Sequence, residues 1–180
     1  MLLDFGQPAN GIFQFAYVTG DLRATIDDYV NDARVGPWFL LDRLESTLGT
    51  YRGQPSRAAV KLAMAFTGHA QIELIEPLDE EPSVYKELLD TNGPGFHHFG
   101  KLTTDLARES KRLQTSGFIE AFRMPVPTGG EVVYFDTKGH LPGFLEIFEG
   151  TPPVNELFTK FYHASVGWNG DDPVRPFLGS

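Results

Sequence analysis

The chain has 180 residues, 41% of them hydrophobic and 13% aromatic, which is enough to bury a core of its own. Its formal net charge is −9, from 24 acidic side chains against 15 Lys and Arg, and this balance argues against a nucleic-acid or anionic-membrane surface. The sequence has no cysteine, so disulfides and thiolate metal sites are excluded, and any metal must be held by oxygen and nitrogen.

The first half of the chain opens with a predicted strand at 12–18 (IFQFAYV), followed by a helix with Asp21 as its N-cap. Further strands are predicted from β-branched and aromatic content at 38–41, 59–66 and 71–75. The order of elements in this half is therefore strand, helix, strands.

The second half has the same order. A linker helix is predicted after Ser83 and ends at Asn92-Gly93, ahead of a strand that begins near Gly95. Asp105 is the predicted N-cap of the next helix, which Gly117 ends. The closing strands are predicted at 132–135 and 145–149, and a helix with an apolar face follows in 153–162.

The two halves are an internal repeat. GFHHFGKLTTDL (95–106) lies over GIFQFAYVTGDL (11–22) at an offset of 84. Residues 145–149 lie over residues 72–76 at an offset of 73, so the second half is shorter by 11 residues, which we interpret as a loop difference. We predict an α+β fold built from a duplicated strand-helix-strands unit.

The repeat predicts the limits of each segment, within one structural domain. These are an N-terminal segment (1–10), a first module (11–82), a linker helix (83–94), a second module (95–150) and a C-terminal helical extension (151–180). The N-terminus has no signal-like apolar run, and no segment approaches the roughly 20 apolar residues of a membrane span. We expect a soluble cytoplasmic protein that does not act on a membrane or on nucleic acid.

Four polar residues occupy matched positions of the repeat within apolar strands: Gln14, Glu73, His98 and Glu146. In strict alternation, Gln14 shares a face with Ala16 and Val18, whereas Phe13, Phe15 and Tyr17 form the other face. A carboxylate buried among apolar residues must be paired or bound to a cation. If the halves pack with pseudo-twofold symmetry, the four converge and suit a divalent ion such as Mg, Mn, Fe, Co, Ni or Zn.

Each position also has a structural interpretation. Gln14 alone is typical of a satisfied polar residue in a strand, and His97 competes with His98 for any role. Glu76 and Glu149 lie on the opposite face and are interpreted as solvent-side acids. The coincidence of all four polar residues with matched sites of the repeat favours the convergent site.

Two other features have alternative interpretations. The helix at 153–162 either pairs two subunits or packs onto its own chain, so a homodimer is an open expectation. Six aromatic residues either line an apolar pocket or belong to the ordinary core. They are Trp38, Phe39, Tyr51, Phe66, Phe135 and Phe144.

The repeat resembles the vicinal oxygen chelate superfamily of glyoxalase I, methylmalonyl-CoA epimerase, extradiol dioxygenases and bleomycin-resistance proteins. The resemblance runs from about Gly11 to Gly150 and rests on the DL pair after each opening strand and the apolar-Glu-apolar pattern in each closing strand. The stretch at 71–100 (QIELIEPLDEEPSVYKELLDTNGPGFHHFG) looks most like the epimerase branch.

The resemblance implies two tandem βαβββ modules that form an open, curled mixed β-sheet around a central metal cavity. By motif, Gln14, Glu73, His98 and Glu146 fall in chain order on the four metal ligands. It further implies enolate stabilisation by the ion, with Glu146 or Glu73 as the catalytic base. A single histidine argues against an extradiol dioxygenase, whose iron is held by two His and one carboxylate.

Two departures separate the chain from the named activities. The stretch 51–66 lacks the additional acid of the epimerases. For a glutathione-dependent glyoxalase, Arg43, Arg52 and Arg57 are the candidate basic residues.

The resulting hypothesis is a metal-dependent lyase or isomerase acting on a small dicarbonyl, hydroxyacyl or acyl-thioester substrate. The alternative is a metal-free drug-binding protein of the bleomycin-resistance type, which the negative charge also fits.

Overall fold

The computed structural model describes residues 4–178 of the chain. Within that range the strands are β1 (Ile12–Val18), β2 (Trp38–Glu45), β3 (Gly49–Tyr51), β4 (Gln54–Ser56), β5 (Ala59–Thr67), β6 (Ala70–Pro77), β7 (Gly95–Thr103), β8 (Ile119–Pro125), β9 (Glu131–Asp136), β10 (Phe144–Glu149) and β11 (Val174–Pro176). The helices are α1 (Leu22–Asn31), α2 (Val84–Asn92), α3 (Leu106–Thr115) and α4 (Pro152–Ser165). Among these helices, none is long and apolar enough to cross a bilayer.

All the strands belong to one mixed sheet in the order β11-β2-β5-β6-β1-β7-β10-β9-β8-β3-β4. The first module contributes β1, α1, β2, β5 and β6, and the second contributes β7, α3, β8, β9 and β10. The modules join where β1 pairs antiparallel with β7, and each of these strands also pairs in parallel with the closing strand of its own module. The predicted α+β fold of two tandem βαβββ modules is confirmed.

Side-chain capping begins the module helices where the sequence predicts it. The carboxylates of Asp21 and Asp105 accept hydrogen bonds from the backbone N–H groups of Ala24 and Arg108, at 2.9 Å each. Glu76, expected to face solvent, instead accepts the backbone N–H of Leu22 at 2.8 Å. This carboxylate adds favourable charge at the N-terminus of α1.

The extra residues of the first module form a hairpin rather than a loop. Strands β3 and β4 pair with each other, and β3 pairs antiparallel with β8 of the second module through Thr50 and Tyr51. Because the hairpin is inserted between β2 and β5, it links the outer part of the first module to the outer strand of the second. The Tyr51 hydroxyl donates to Glu87 of α2 at 2.7 Å, which holds the hairpin against that helix.

The C-terminal extension packs onto its own chain, as one of the two interpretations of its helix expects. Phe161 of α4 stacks on Phe39 of β2, with ring centroids 3.9 Å apart and planes 12° apart. Phe158 packs against Phe13 and Phe148. Beyond the helix, β11 continues the sheet by pairing in parallel with β2.

Replacing Phe161 with Ala is expected to lower the free energy of unfolding by about 3–5 kcal/mol, because its fully buried ring anchors α4 to the sheet. Urea denaturation followed by far-UV circular dichroism measures the change. Tyr162→Ala, at a half-buried neighbouring position, is the control and should cost clearly less. Equal losses in the two variants would contradict the anchoring role.

Candidate metal centre

Four adjacent strands at the middle of the sheet carry the predicted site residues. Gln14 lies on β1, Glu73 on β6, His98 on β7 and Glu146 on β10, and all four side chains are buried. The register places Gly100 of β7 opposite both Gln14 and Glu146. A Cβ atom at Gly100 would collide with Oε1 of Gln14, so glycine at this position makes room for the amide.

The expected convergence of the four side chains is observed. His98 Nε2 lies 3.1 Å from Glu146 Oε2, 3.4 Å from Glu73 Oε2 and 3.4 Å from Gln14 Oε1. One donor atom from each of Glu73, His98 and Glu146 lies within 4.8 Å of the others. One N–H group of the imidazole cannot donate to three oxygens at once, so the cluster has more hydrogen-bond acceptors than donors.

One acceptor of the cluster has no hydrogen-bond partner. Glu73 Oε2 is buried without one, although such atoms in a protein interior are normally paired. Oxygen and imidazole donors in this arrangement match the ligand preferences of a divalent cation. The residues present therefore fit a metal ion.

Matched β-bulges orient the site residues of the two opening strands. The register of the β1–β7 pairing shifts twice. One shift lies between Ile12 and Gln14 of β1, and the other lies between Phe96 and His98 of β7. The unpaired residues are Phe13 and His97, which are equivalent in the repeat. Each bulge lets two successive side chains turn inward, so the predicted grouping of Phe13 with Phe15 and Tyr17 is wrong: Phe13 packs beneath α4 against Phe158.

His97 does not compete with His98 but supports it. His97 Nε2 lies 3.0 Å from the carbonyl oxygen of Val84, and its Nδ1 lies 2.7 Å from Nδ1 of His98. The pKa of His97 is lowered well below its ordinary value by burial and by the neighbouring His98, so the ring is neutral. Because a carbonyl can only accept, His97 donates from Nε2 and accepts at Nδ1.

This chain of hydrogen bonds determines the tautomer of His98. With Nδ1 of His97 as an acceptor, the Nδ1 of His98 must carry a hydrogen and donate it. When His98 is neutral, its lone pair is therefore on Nε2, which faces Gln14, Glu73 and Glu146. Metal-ligating histidines characteristically have such a partner behind the ring.

The amide of Gln14 is oriented in a comparable way. Its Nε2 donates to Oε1 of the buried Gln71 at 2.8 Å, which leaves Oε1 directed at the cluster. Gln71 lies two residues before Glu73 on β6 and shares its face, as the alternation of that strand predicts.

The charges of the cluster shift the pKa values of its members. Burial raises the pKa of Glu73, and the neighbouring Glu146 raises it further. Burial alone would lower the pKa of His98, but the carboxylates of Glu146 and Glu73 outweigh it and raise that pKa to about 9. Without a metal, His98 is therefore an imidazolium between two glutamates.

The cluster borders an apolar cavity of about 80 Å³. Gln14, Glu73 and Glu146 supply polar lining from the central strands, and most of the remaining lining is aliphatic or aromatic. The six aromatic residues predicted for a pocket do not line it. The core interpretation is the correct one for most of them, with Trp38, Phe39, Phe66, Phe135 and Phe144 fully buried elsewhere.

Two tyrosines that line the cavity were not predicted from the sequence, and one glutamate was misplaced. Tyr85 and Tyr134 line the cavity, and the hydroxyl of Tyr85 donates to that of Tyr134 at 3.0 Å. Burial raises the pKa of both phenols well above the ordinary value, so both remain protonated donors. Glu149 was expected to face solvent but borders the cavity. Tyr85 lies on the linker helix, and Tyr134 and Glu149 lie on closing strands, all of which were predicted only as structural elements. Their place beside the cavity is visible only in the folded structure.

Comparison with known proteins gives a family and a fold. Residues 13–135 match the family model of the glyoxalase/bleomycin resistance protein/dioxygenase superfamily. A hypothetical protein of Bacillus halodurans C-125 superposes with a TM-score of 0.58 at 20% identity, covering 80% of this chain and 96% of its own. Methylmalonyl-CoA epimerase of Mycobacterium tuberculosis gives 0.56 at 23% identity, covering 82% and 93%.

A Streptomyces coelicolor methylmalonyl-CoA epimerase variant, solved in complex with 2-nitronate-propionyl-CoA, gives a TM-score of 0.52 at 19% identity, covering 79% of this chain and 98% of its own. A sequence comparison with curated proteins gave no match. At these identities the solved structures support the fold alone.

The pKa of His98 predicts how the stability of the metal-free protein depends on pH. An unfolded histidine titrates near ~6.5, whereas His98 in the folded chain titrates at about 9. The stabilisation is fully present below the unfolded pKa and is lost as pH rises through the folded pKa. We expect the free energy of unfolding of chelator-treated protein to fall across this window by up to about 1.4 kcal/mol per pH unit.

Urea denaturation at a series of pH values measures this slope. His98→Gln should remove it, and His163→Gln, which lies in α4 outside the cluster, should retain it. A slope that persists unchanged in His98→Gln would contradict the assignment.

Proposed function

Because this chain belongs to the glyoxalase/bleomycin resistance protein/dioxygenase superfamily, we propose that it is a metal-dependent lyase or isomerase, with epimerases included. Its substrate would be a small dicarbonyl, hydroxyacyl or acyl-thioester compound. The observation that supports this most directly is the buried convergence of Gln14, Glu73, His98 and Glu146, with one carboxylate oxygen unpaired.

The four side chains would hold a divalent ion through three oxygens and Nε2 of His98. Mg, Mn, Fe, Co, Ni and Zn all accept such donors. When bound, the ion would polarise two neighbouring oxygens of the substrate and stabilise the negative charge that forms as the α-proton leaves.

The chain's own residues supply proton transfer and orientation. Glu73 and Glu146 are the candidate bases, each through the carboxylate oxygen that would not hold the ion, and Glu73 is favoured because burial raises the pKa of its carboxyl group. His97 is a positioning residue, since it keeps the proton of His98 on Nδ1 and away from the cluster. The apolar walls of the cavity exclude water from the proton that moves.

The alternative is metal-free sequestration of a small molecule, as in bleomycin-resistance proteins. The formal charge of −9 fits a cationic ligand. The complete set of four donors favours the enzyme, because a sequestering protein has no need of them.

Metal content tests the proposal. Chelator-treated protein refilled separately with Mg, Mn, Fe, Co, Ni and Zn is expected to retain about one ion per chain, measured by elemental analysis. His98→Ala should lose it. His97→Phe keeps an aromatic ring against Tyr85 and Phe144 but offers no acceptor, so we expect about 10–100-fold weaker binding.

His163→Ala is the matched control and should bind like the wild type. Wild-type protein that stays empty under every ion would contradict the proposal and favour sequestration. A His97→Phe variant with unchanged affinity would leave the metal site intact and remove the positioning role of His97.

Loss of an α-proton to deuterated solvent tests the catalytic step. We expect the metal-loaded protein to exchange an α-proton of at least one of acetoin, 2,3-pentanedione or methylmalonyl-CoA, monitored by proton NMR. Glu73→Gln should slow this exchange by at least about 100-fold, because the base is removed while the side-chain shape is kept. Glu156→Gln, on the exposed side of α4, should not. Loaded protein that exchanges none of the three faster than buffer would contradict the reaction class.

A further inference from the structure

The charged side chains among the described residues that line the cavity are carboxylates. Among the described residues that line it, none is Lys, Arg or His, whereas Glu73, Glu146 and Glu149 contribute carboxylates. An anionic group placed beyond the metal cluster would lose its hydration and find no Lys, Arg or His among the described lining residues to compensate its charge. The walls therefore select against a negatively charged ligand body.

Hydrocarbon side chains line the cavity from both modules and from the C-terminal extension. The first module supplies Leu41, Leu44, Val60 and Leu62 of β2 and β5, and the second supplies Met124, Val132 and Phe148. From the extension, Val154, Leu157, Phe158, Phe177 and Leu178 line the cavity. Contact with such a surface favours an apolar ligand.

The C-terminal extension is anchored to the sheet at both its helix and its tail. Phe161 is fully buried, and the β11 pairing holds the tail against β2, where the backbone N–H of Phe177 donates to the carbonyl of Leu40 at 2.9 Å. The cavity that remains measures about 80 Å³, about half the ~150 Å³ of an apolar cavity that accepts benzene. The part of a ligand that enters this cavity must therefore be compact.

The extension lies outside the two modules. The match to the family model covers residues 13–135 and ends before the extension begins. An extra segment that lines the site can change which ligand the shared fold accepts.

We propose that the cavity takes a small, neutral molecule with two adjacent oxygens and a compact apolar body, and that the C-terminal extension sets this selectivity. The two oxygens rest on the function proposed above. The neutral apolar body is a separate claim, which rests on the lining. Such a preference would distinguish this cavity from a site that binds a substrate with phosphates or carboxylates on its main body.

Three hydroxamic acids with matched shapes test the claim, because each offers two adjacent oxygens to a metal and differs only in its body. They are 3-methylbutanohydroxamic acid (neutral), malonic monohydroxamic acid (anionic) and N,N-dimethylglycine hydroxamic acid (cationic). Calorimetric titration of the metal-loaded protein should show the neutral compound binding at least about tenfold more tightly than either charged one.

A lysine among the lining residues should change the order of affinities of the three compounds. Leu157→Lys should bring the anionic compound to within about threefold of the neutral one, because the ammonium group gives the carboxylate a partner. Leu157 is only partly buried, so the lysine can be accommodated. Glu156→Gln makes the same change in net charge on the exposed side of α4 and should leave the order unchanged. Leu44→Lys, on β2, repeats the test should Leu157→Lys not fold.

Metal content is measured first, so the possible failures are distinct. Protein that retains no metal overturns the proposed function and this inference with it. Loaded protein that binds the anionic compound as tightly as the neutral one, or binds none of the three, overturns the inference alone. Tightest binding of the cationic compound overturns it in favour of a cation-selective site.

Discussion

Two carboxylates buried side by side in the interior of a β-sheet are the constraint on which the rest of the structure depends. Glu73 and Glu146 lie where charge is costly, and the imidazole of His98 is the basic group that lies against both of them. One imidazolium cannot neutralise both carboxylates, and an oxygen of Glu73 stays without a hydrogen-bond partner. A divalent cation at the cluster would neutralise the excess negative charge and would also give that oxygen of Glu73 a partner. The burial of the two carboxylates thus connects the fold to the proposed chemistry.

The duplicated module brings these groups together with little additional structure. Equivalent bulges at Phe13 and His97 turn the following residues, Gln14 and His98, toward the junction of the halves. The bulged residues have diverged in role: Phe13 anchors the C-terminal helix, whereas His97 links His98 to the carbonyl of Val84. The same kind of β-bulge thus anchors the C-terminal helix, which lines the cavity, in one half and orients a site residue in the other.

Much of this arrangement could be predicted from the sequence, because the repeat identified the equivalent positions. The modules, the caps at Asp21 and Asp105 and the convergence of Gln14 with His98 all follow from it. The rest could not be predicted for physical reasons. A bulge breaks the two-residue period that alternation assumes, and the pairing of the β3–β4 hairpin with β8 joins segments far apart in sequence. The cavity walls depend on how α4 crosses the sheet, which its apolar face alone does not specify.

The most direct test of the account is a crystal structure of the protein soaked with cobalt, with anomalous diffraction recorded at the cobalt absorption edge. The account predicts one strong peak at the junction of the modules, within about 2.0–2.3 Å of Nε2 of His98 and of oxygens of Gln14, Glu73 and Glu146. It also predicts that Nδ1 of His98 still faces His97. A cluster without a peak, in which His98 keeps its ion pair with Glu146 while cobalt occupies only surface sites, would contradict it.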